Sequence, residues 1–315
     1  MAVVRFDPRV GPIARRRRRR HRRPTVTVII PTYTWASVLR YSAASVLAQT
    51  VADIELLVIG DGCTDESERV VRSLDDERVS WFNLRRNFAS QVGPNNVGLS
   101  IARADLIAYC GHDDLWLPDH LERLLETGAG FAHATQLRVD PGLTPYLVPT
   151  EPWAYTPGAW LPPTSMLHPR TAAVRVGGWR LPQRGQWEDP EANLLKRLSE
   201  VLGPPTYVRR VTSVKLPAAL RRGVYRERPC DEQAAWMARI QAAPDTETFV
   251  CESLGNRDLV PPARYRPEDV PPELLGMAGV DAVQRRQMAR VVKGLDAGGV
   301  PQRSATDGDS TSGTR

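Results

Sequence analysis

Four short apolar runs, 26–30, 54–59, 79–84 and 106–110, recur along the first third of the chain with room for a helix between each pair. Each run is short and rich in β-branched or aromatic residues, so each reads as a strand. The first, Val26-Thr27-Val28-Ile29-Ile30, is expected to end at Pro31, and the second closes on Gly60-Asp61-Gly62. Between them, Val38, Tyr41, Ser45, Val46 and Gln49 stand at helical spacing in 36–49, and Val70, Val71 and Leu74 lie on one side of 64–74. A short helix is expected over 96–104, and another over 117–126, where Pro118 sits near the first turn ahead of Leu121, Leu124 and Leu125. Near-continuous apolar strands alternating with helices predict an α/β protein, a mostly parallel sheet with helices on both faces. In such sheets ligands bind beyond the carboxyl ends of the strands. Asp61 and the segment Gly111-His112-Asp113-Asp114 both fall there.

Past residue 130 the pattern loosens. Seven prolines lie within 140–164, with Trp153, Tyr155 and Trp160 among them, a long loop of the kind that carries function. Helical spacing returns over 188–198, a strand or hairpin is expected over 206–216, and helices over 231–242 and 283–295. The last eighteen residues, 298–315, are dominated by Gly, Ser, Thr and Asp and read as a disordered tail.

The net charge of +6 is local. Arg15 to Arg20, Arg22 and Arg23 supply eight positive charges, so the rest of the chain is acidic by two. Such a run is a solvated arm suited to an anionic surface, and no specific nucleic acid is expected, because the body carries no basic stripe interleaved with aromatics. No stretch reaches the ~18 apolar residues of a membrane span, and no apolar core follows the arginines as in a signal peptide. Cys63, Cys110, Cys230 and Cys251 are scattered, without metal or redox spacing. The expected setting is cytoplasmic, with peripheral contact at the inner membrane face.

Three acidic segments stand at strand ends or helix starts. Asp61, flanked by glycines, is placed to accept N–H groups of a flat ring or a ribose hydroxyl. Asp113 and Asp114 repel each other unless a cation compensates them, as Mg²⁺ or Mn²⁺ does beside a diphosphate. Glu188-Asp189 precedes the helical spacing of Leu194, Leu195 and Leu198. For Thr64-Asp65, Asp113-Asp114 and Glu188-Asp189 the competing reading is a helix N-terminus, where side-chain oxygens cap backbone N–H groups and acids suit the dipole.

As an ordered set these segments resemble the inverting glycosyltransferases of family 2, over about residues 25–200. The resemblance runs through Val26-Thr-Val-Ile-Ile-Pro-Thr-Tyr33, Ser45-Val-Leu-Ala-Gln-Thr50, Glu55 to Ser67, Asn96-Val-Gly-Leu99, Ala108 to Asp119, Gly177-Gly-Trp179 and Glu188-Asp189. It implies a GT-A, Rossmann-like fold with a less regular C-terminal acceptor side. It divides the chain into an arm (1–24), a nucleotide-sugar half (25–130), an acceptor half (131–220), a helical extension (221–297) and a tail. It implies transfer of a sugar from a nucleoside-diphosphate donor, UDP-sugar foremost, to a glycan, lipid-linked or small-molecule acceptor, as in polysaccharide biosynthesis.

The same resemblance assigns roles. Pro31, Thr32, Tyr33 and Asn96 lie by the nucleoside, Asp61 contacts the base, and Asp113 lies near ribose or sugar. Asp114 binds Mn²⁺ or Mg²⁺; His112, outside the family pattern, reads as a further metal or a phosphate contact, or as a histidine merely hydrogen-bonded at a strand end. Asp189 is the general base, and Glu188 and Trp187 lie on the acceptor side, where Trp153, Trp160 and Trp179 are further candidates for stacking on sugars. Two departures stand out: Gly60 and His112 occupy positions where the family often has acids. They favour the alternative, a non-catalytic nucleotide-sugar or glycan binder on the same scaffold.

Overall fold

A computed structural model describes residues 23–148, 155, 161–181, 189–221, 223–256 and 258. The alternation read from the sequence is present as β1 (Val26–Thr32), α1 (Ala36–Leu47), β2 (Ile54–Gly60), α2 (Ser67–Arg72), β3 (Val79–Asn83), α3 (Val92–Ile101) and β4 (Leu106–Tyr109). There follow β5 (Leu115–Trp116), α4 (His120–Leu125), β6 (Ala132–Arg138), β7 (Tyr146–Val148), β8 (Met166–Pro169), α5 (Arg170–Arg175) and α6 (Pro190–Leu202). The described chain closes with β9 (Thr206–Lys215), α7 (Val224–Glu227), α8 (Asp231–Ala242) and α9 (Thr246–Ser253).

One nine-stranded sheet joins all of these strands in the order β3-β2-β1-β4-β8-β6-β9-β5, with β7 paired to β6. Strands β1 to β4 are mutually parallel, as expected. Beyond β4 the sheet is mixed: β8 runs antiparallel to β4 and β6, while β9 runs parallel to β6. The chain winds outward from β1 to β3 and then crosses back to β4 on the other side of β1, so a switch point opens between β1 and β4. Pro31 does not end β1, which runs on to Thr32. It is tolerated inside the strand because β4 pairs with β1 only as far as Ile29, so no ladder bond on that side needs its missing N–H.

The continuous apolar character of β1 follows from burial on both faces. Val26, Val28 and Ile30 pack with Leu39 and Val46 of α1, while Ile29 faces the opposite core with Leu99 of α3 and Leu194, Leu195 and Leu198 of α6. Each such side chain contributes roughly 1.5–3 kcal/mol on leaving water. A third core joins Leu115, Leu137 and Val214 to Trp236 and Ile240 of α8 and Phe249 of α9.

Arg23 is the one residue of the arginine run that is described, and it pairs with Asp105 at 2.6 Å. The rest of that run, Trp153, Trp160, Trp187, Glu188, the helix expected over 283–295 and the tail lie outside the described residues. Among the described residues no helix is long and apolar enough to cross a membrane.

Candidate functional site

The switch point is framed by the loop after β1, the turn after β2 and the turn after β4. Asp61 follows β2 directly and is 4% exposed. Its Oδ1 accepts the Phe88 backbone N–H at 2.9 Å, which ties down the loop leading into α3. Burial pushes its pKa up to about 6, against the pull of the Phe88, Ser90 and Ala89 amides. Asp65 serves the helices instead: its Oδ2 accepts from Ala36 N at the start of α1 and its Oδ1 from Ser67 N and Oγ at the start of α2. The capping reading holds there.

Gly60 lacks a side chain because its place is filled. A Cβ there would stand 2.5 Å from Asn83 Oδ1 and 2.7 Å from Trp81. Asn83 is itself fixed, since its side chain accepts from Cys63 N and donates to Cys63 O, both at 2.8 Å. The departure at this position is thus compensated by β3. Gly60→Asp is expected to lower stability by roughly 1–3 kcal/mol through overpacking, read as a fall in melting temperature. An unchanged melting temperature would refute the packing account.

The turn after β4 bends back on itself: a Cβ on Gly111 would lie 2.5 Å from Asp114 Oδ2. Asp114 is fully buried. Its Oδ2 accepts from Lys215 Nζ at 2.9 Å and from the Thr164 hydroxyl, and its Oδ1 from Leu216 N at 3.2 Å. Burial raises its pKa while the ammonium pulls it back. With an ammonium, an amide and a hydroxyl all donating to it, Asp114 is a carboxylate. Burial pushes the Lys215 pKa down, but Asp114 and Asp113 outweigh that and hold it above the usual lysine range.

These contacts speak against Asp114 as the residue that holds the metal. Its oxygens are already engaged, one of them by a cation, and a second cation there would face the ammonium. Asp113 differs: its Oδ2 accepts from Ala218 N at 2.9 Å, and its Oδ1 accepts from no described residue. Burial opposes its ionisation, yet the Lys215 charge and the His112 ring hold its pKa below the usual carboxylate range. His112 stands beside it, half-buried, with Nδ1 3.1 Å from Thr32 Oγ1 and burial pushing its pKa down, so the imidazole is neutral near pH 7. Mg²⁺ and Mn²⁺ take one or two protein carboxylates and complete their shell with water and substrate phosphates. Asp113 with His112 fits that pattern and Asp114 does not. Among the described residues no three of His, Cys, Asp and Glu gather into a closed metal cage.

Asn96, expected at the nucleoside, is turned the other way. Its amide donates to Trp179 O at 3.0 Å and its Oδ1 accepts from Trp179 N at 2.8 Å, so both ends are spent on holding the Gly177-Gly178-Trp179 turn to α3. Trp179 is core, 2% exposed, with Nε1 donating to the Tyr109 hydroxyl at 3.0 Å. Stacking on a sugar is thereby excluded for this tryptophan.

Asp189 is the N-cap of α6, its Oδ1 accepting from Glu191 N at 2.8 Å and Ala192 N at 3.3 Å. Its Oδ2 accepts from no described residue, and burial raises its pKa above the ordinary aspartate value. The helix start therefore orients the carboxylate by one oxygen and, among the described residues, leaves the other without a donor. Glu191, two residues on, accepts from Gln91 Nε2 at the start of α3 at 2.6 Å, and its charge is felt by Lys215. Sequence reasoning missed Lys215, Thr164 and Glu191. A lysine closing the buried end of β9, after Thr212, Ser213 and Val214, was the available signal.

Residues 27–135 match a protein-family model described as Glycosyl transferase family 2. An uncharacterized glycosyltransferase of Nostoc sp. is 34% identical over 102 residues, 32% of this chain and 32% of that protein. The GalNAc(5)-diNAcBac-PP-undecaprenol beta-1,3-glucosyltransferase of Campylobacter jejuni is 32% identical over 116 residues, 35% of this chain and 37% of that protein. The chain thus spans about a third of the length of the curated relatives it matches. Among solved structures, the mannosyltransferase PcManGT from Pyrobaculum calidifontis in complex with GDP-Man and Mn²⁺ superposes with a TM-score of 0.49 at 15% identity, over 89% of this chain and 77% of that one. Residues 1–349 of S. aureus TarS give 0.48 at 15% identity, over 87% and 92%. At these scores the likeness decides nothing about donor or metal. Over residues 27–135, from β1 into β6 and including the acidic turn, the chain resembles glycosyl transferase family 2.

Proposed function

We propose that the protein transfers a sugar from a nucleoside-diphosphate donor, a UDP-sugar foremost, to an acceptor hydroxyl with inversion at the anomeric carbon. The observation that carries this reading is the family-matched acidic turn at the switch point, whose Asp114 pairs with Lys215. Asp189 Oδ2 takes the proton of the acceptor hydroxyl, its oxygen bonds to the anomeric carbon, and the bond from that carbon to the diphosphate oxygen breaks on the opposite side. A raised pKa suits Asp189 to this work, because a base near the operating pH both exists as carboxylate and accepts protons well. Asp113, with His112 beside it, would hold a divalent ion, Mg²⁺ or Mn²⁺. When bound, that ion supplies positive charge to the leaving diphosphate.

The activity of the Campylobacter relative, a GalNAc(5)-diNAcBac-PP-undecaprenol beta-1,3-glucosyltransferase, supports a glycan or lipid-linked acceptor, and the arginine run supports peripheral contact with an anionic membrane from the cytoplasmic side. The capping role of Asp189 favours a second reading, a non-catalytic binder. Turnover of labelled nucleotide sugars in Mn²⁺, after a thermal-shift screen of donors, separates the two. Binding without transfer or hydrolysis would leave the binder.

Asp61 gives the donor reading a pH signature. Its Oδ1 serves Phe88 N–H, so only the ionised form offers Oδ2 as an acceptor for a base N–H while keeping that bond. Its pKa of about 6 predicts that uridine and UDP affinity rises as pH climbs from 5 to 7 and levels above. In Asp61→Asn that dependence is expected to vanish. Titrations at fixed ionic strength check it, and an unchanged pH profile in the variant would remove Asp61 from the base contact.

A further inference from the structure

Two left-handed residues meet at the mouth of the β1 loop. Thr34 (φ 40°) and Arg228 (φ 54°) are both non-glycine residues with positive φ, and Arg228 Nη2 donates to Thr34 Oγ1 at 2.8 Å. Such backbone persists in L residues only where the surroundings impose it. Here they do: Ser37 Oγ donates to Arg228 O at 2.8 Å and Trp35 Nε1 to Pro229 O at 3.0 Å. The segment after α7 is laced to the start of α1 and carries the Arg228 guanidinium across the loop that follows β1.

That guanidinium lies between aromatic rings, 5.7 Å from the Tyr33 centroid and 5.2 Å from that of Tyr225. Its Nη1 is buried and has no hydrogen-bond partner among the described residues. A buried guanidinium nitrogen without an acceptor is costly, and the rings on either side can accept only weakly. A ligand oxygen would supply that acceptor. The neighbourhood selects its charge. Lys215 is committed to Asp114, and His112 and Tyr225 feel the fields of Asp113, Asp114 and Arg228 together. An anion approaching this turn meets the repulsion of Asp113, and Arg228, bonded to Thr34 of the β1 loop, brings a positive charge and a spare donor to offset it. A planar fork of N–H groups matches phosphate oxygens in pairs.

We infer that Arg228 is a phosphate-binding residue of the donor site, receiving a non-bridging oxygen of a nucleoside diphosphate whose nucleoside lies along Tyr33. The inference rests on the donor class proposed above. It adds to the site a residue far outside the family-matched segment.

The test is calorimetric titration of the full chain with UDP and with uridine, for wild type, Arg228→Gln, Arg228→Lys and Thr34→Val. Loss of a charge-assisted hydrogen bond predicts that Arg228→Gln weakens UDP by roughly tenfold or more and uridine by less than about twofold. Arg228→Lys keeps the charge without the fork and is expected to fall between. Thr34→Val removes only the internal partner and is expected to keep the wild-type preference for UDP over uridine. Equal loss of both ligands in Arg228→Gln, or the same selective loss in Thr34→Val, would show that the arginine merely supports the loop and would overturn the inference. So would wild-type UDP affinity in Arg228→Gln. If Arg228→Gln fails to fold, Arg228→Lys decides by the same selectivity. Wild type that binds UDP, with no selective loss in the variants, sinks this inference alone. Wild type that binds none of UDP, GDP, CDP and dTDP removes the donor reading and the inference with it.

Discussion

Asp189→Asn is expected to lower turnover by roughly 10² or more while donor affinity stays near that of the wild type. The reasoning turns on the two oxygens of one carboxylate. Oδ1 caps α6 by accepting from Glu191 N and Ala192 N, and asparagine is as good a cap as aspartate. The helix start, its Pro190 and the packing of Leu194, Leu195 and Leu198 are therefore preserved. What is lost is the uncommitted Oδ2, since an amide cannot take the proton of an attacking hydroxyl. Asp189→Ala differs in kind, because it also removes the cap and is expected to cost about 1 kcal/mol of stability. The measurement is paired: donor binding by titration and product formation by rate, on protein of verified melting temperature. Near wild-type transfer by Asp189→Asn would reduce this residue to its capping role and place the base elsewhere.

How far the site was legible depends on where each residue finds its partners. Strands β1, β2 and β4 were readable because they are buried on both faces, and that demand writes a continuous apolar run into the sequence. Strand β6 was not, although every residue in it is buried. Its sequence, His-Ala-Thr-Gln-Leu-Arg after Ala132, reads as polar. Part of that polarity is met within the fold, Thr135 by the distant Tyr207 hydroxyl at 2.7 Å and Arg138 by Asp140 just past the strand at 2.8 Å. Helix α3 begins at Val92 rather than at Asn96 because Gly93 and Pro94, which look like breakers, sit in its first turn, where proline loses no hydrogen bond. Asp61 and the acidic turn were placed correctly at strand ends by the alternation alone. The surroundings that distinguish Asp113 from Asp114 were not legible, since the group responsible is Lys215, 101 residues away from Asp114.

That distant lysine makes Asp114→Ala a test of structure rather than of metal binding. Removing the carboxylate leaves Lys215 with its ammonium largely buried, and takes acceptors from the Thr164 hydroxyl and Leu216 N. Breaking one side of a buried ion pair costs roughly 3–5 kcal/mol, because the remaining charge can neither reach water nor find a counter-charge. For a chain of this size that corresponds to a melting temperature lower by about 10 °C. Asp113→Ala leaves the pair intact and is expected to lose far less stability while forfeiting donor binding in Mn²⁺. The double variant Asp114→Asn with Lys215→Met removes both charges and is expected to recover much of the loss. With the single variants Asp114→Asn and Lys215→Met, a double-mutant cycle isolates the coupling. Thermal melts of these proteins, of Asp114→Ala and of Asp113→Ala, together with Mn²⁺ titrations, make the distinction. An Asp114→Ala protein that melts with the wild type yet no longer binds Mn²⁺ would return the metal to Asp114. The predicted pattern, stability lost at Asp114 and ligand lost at Asp113, assigns two adjacent carboxylates to different work: one neutralises a lysine inside the fold, and the other faces the donor.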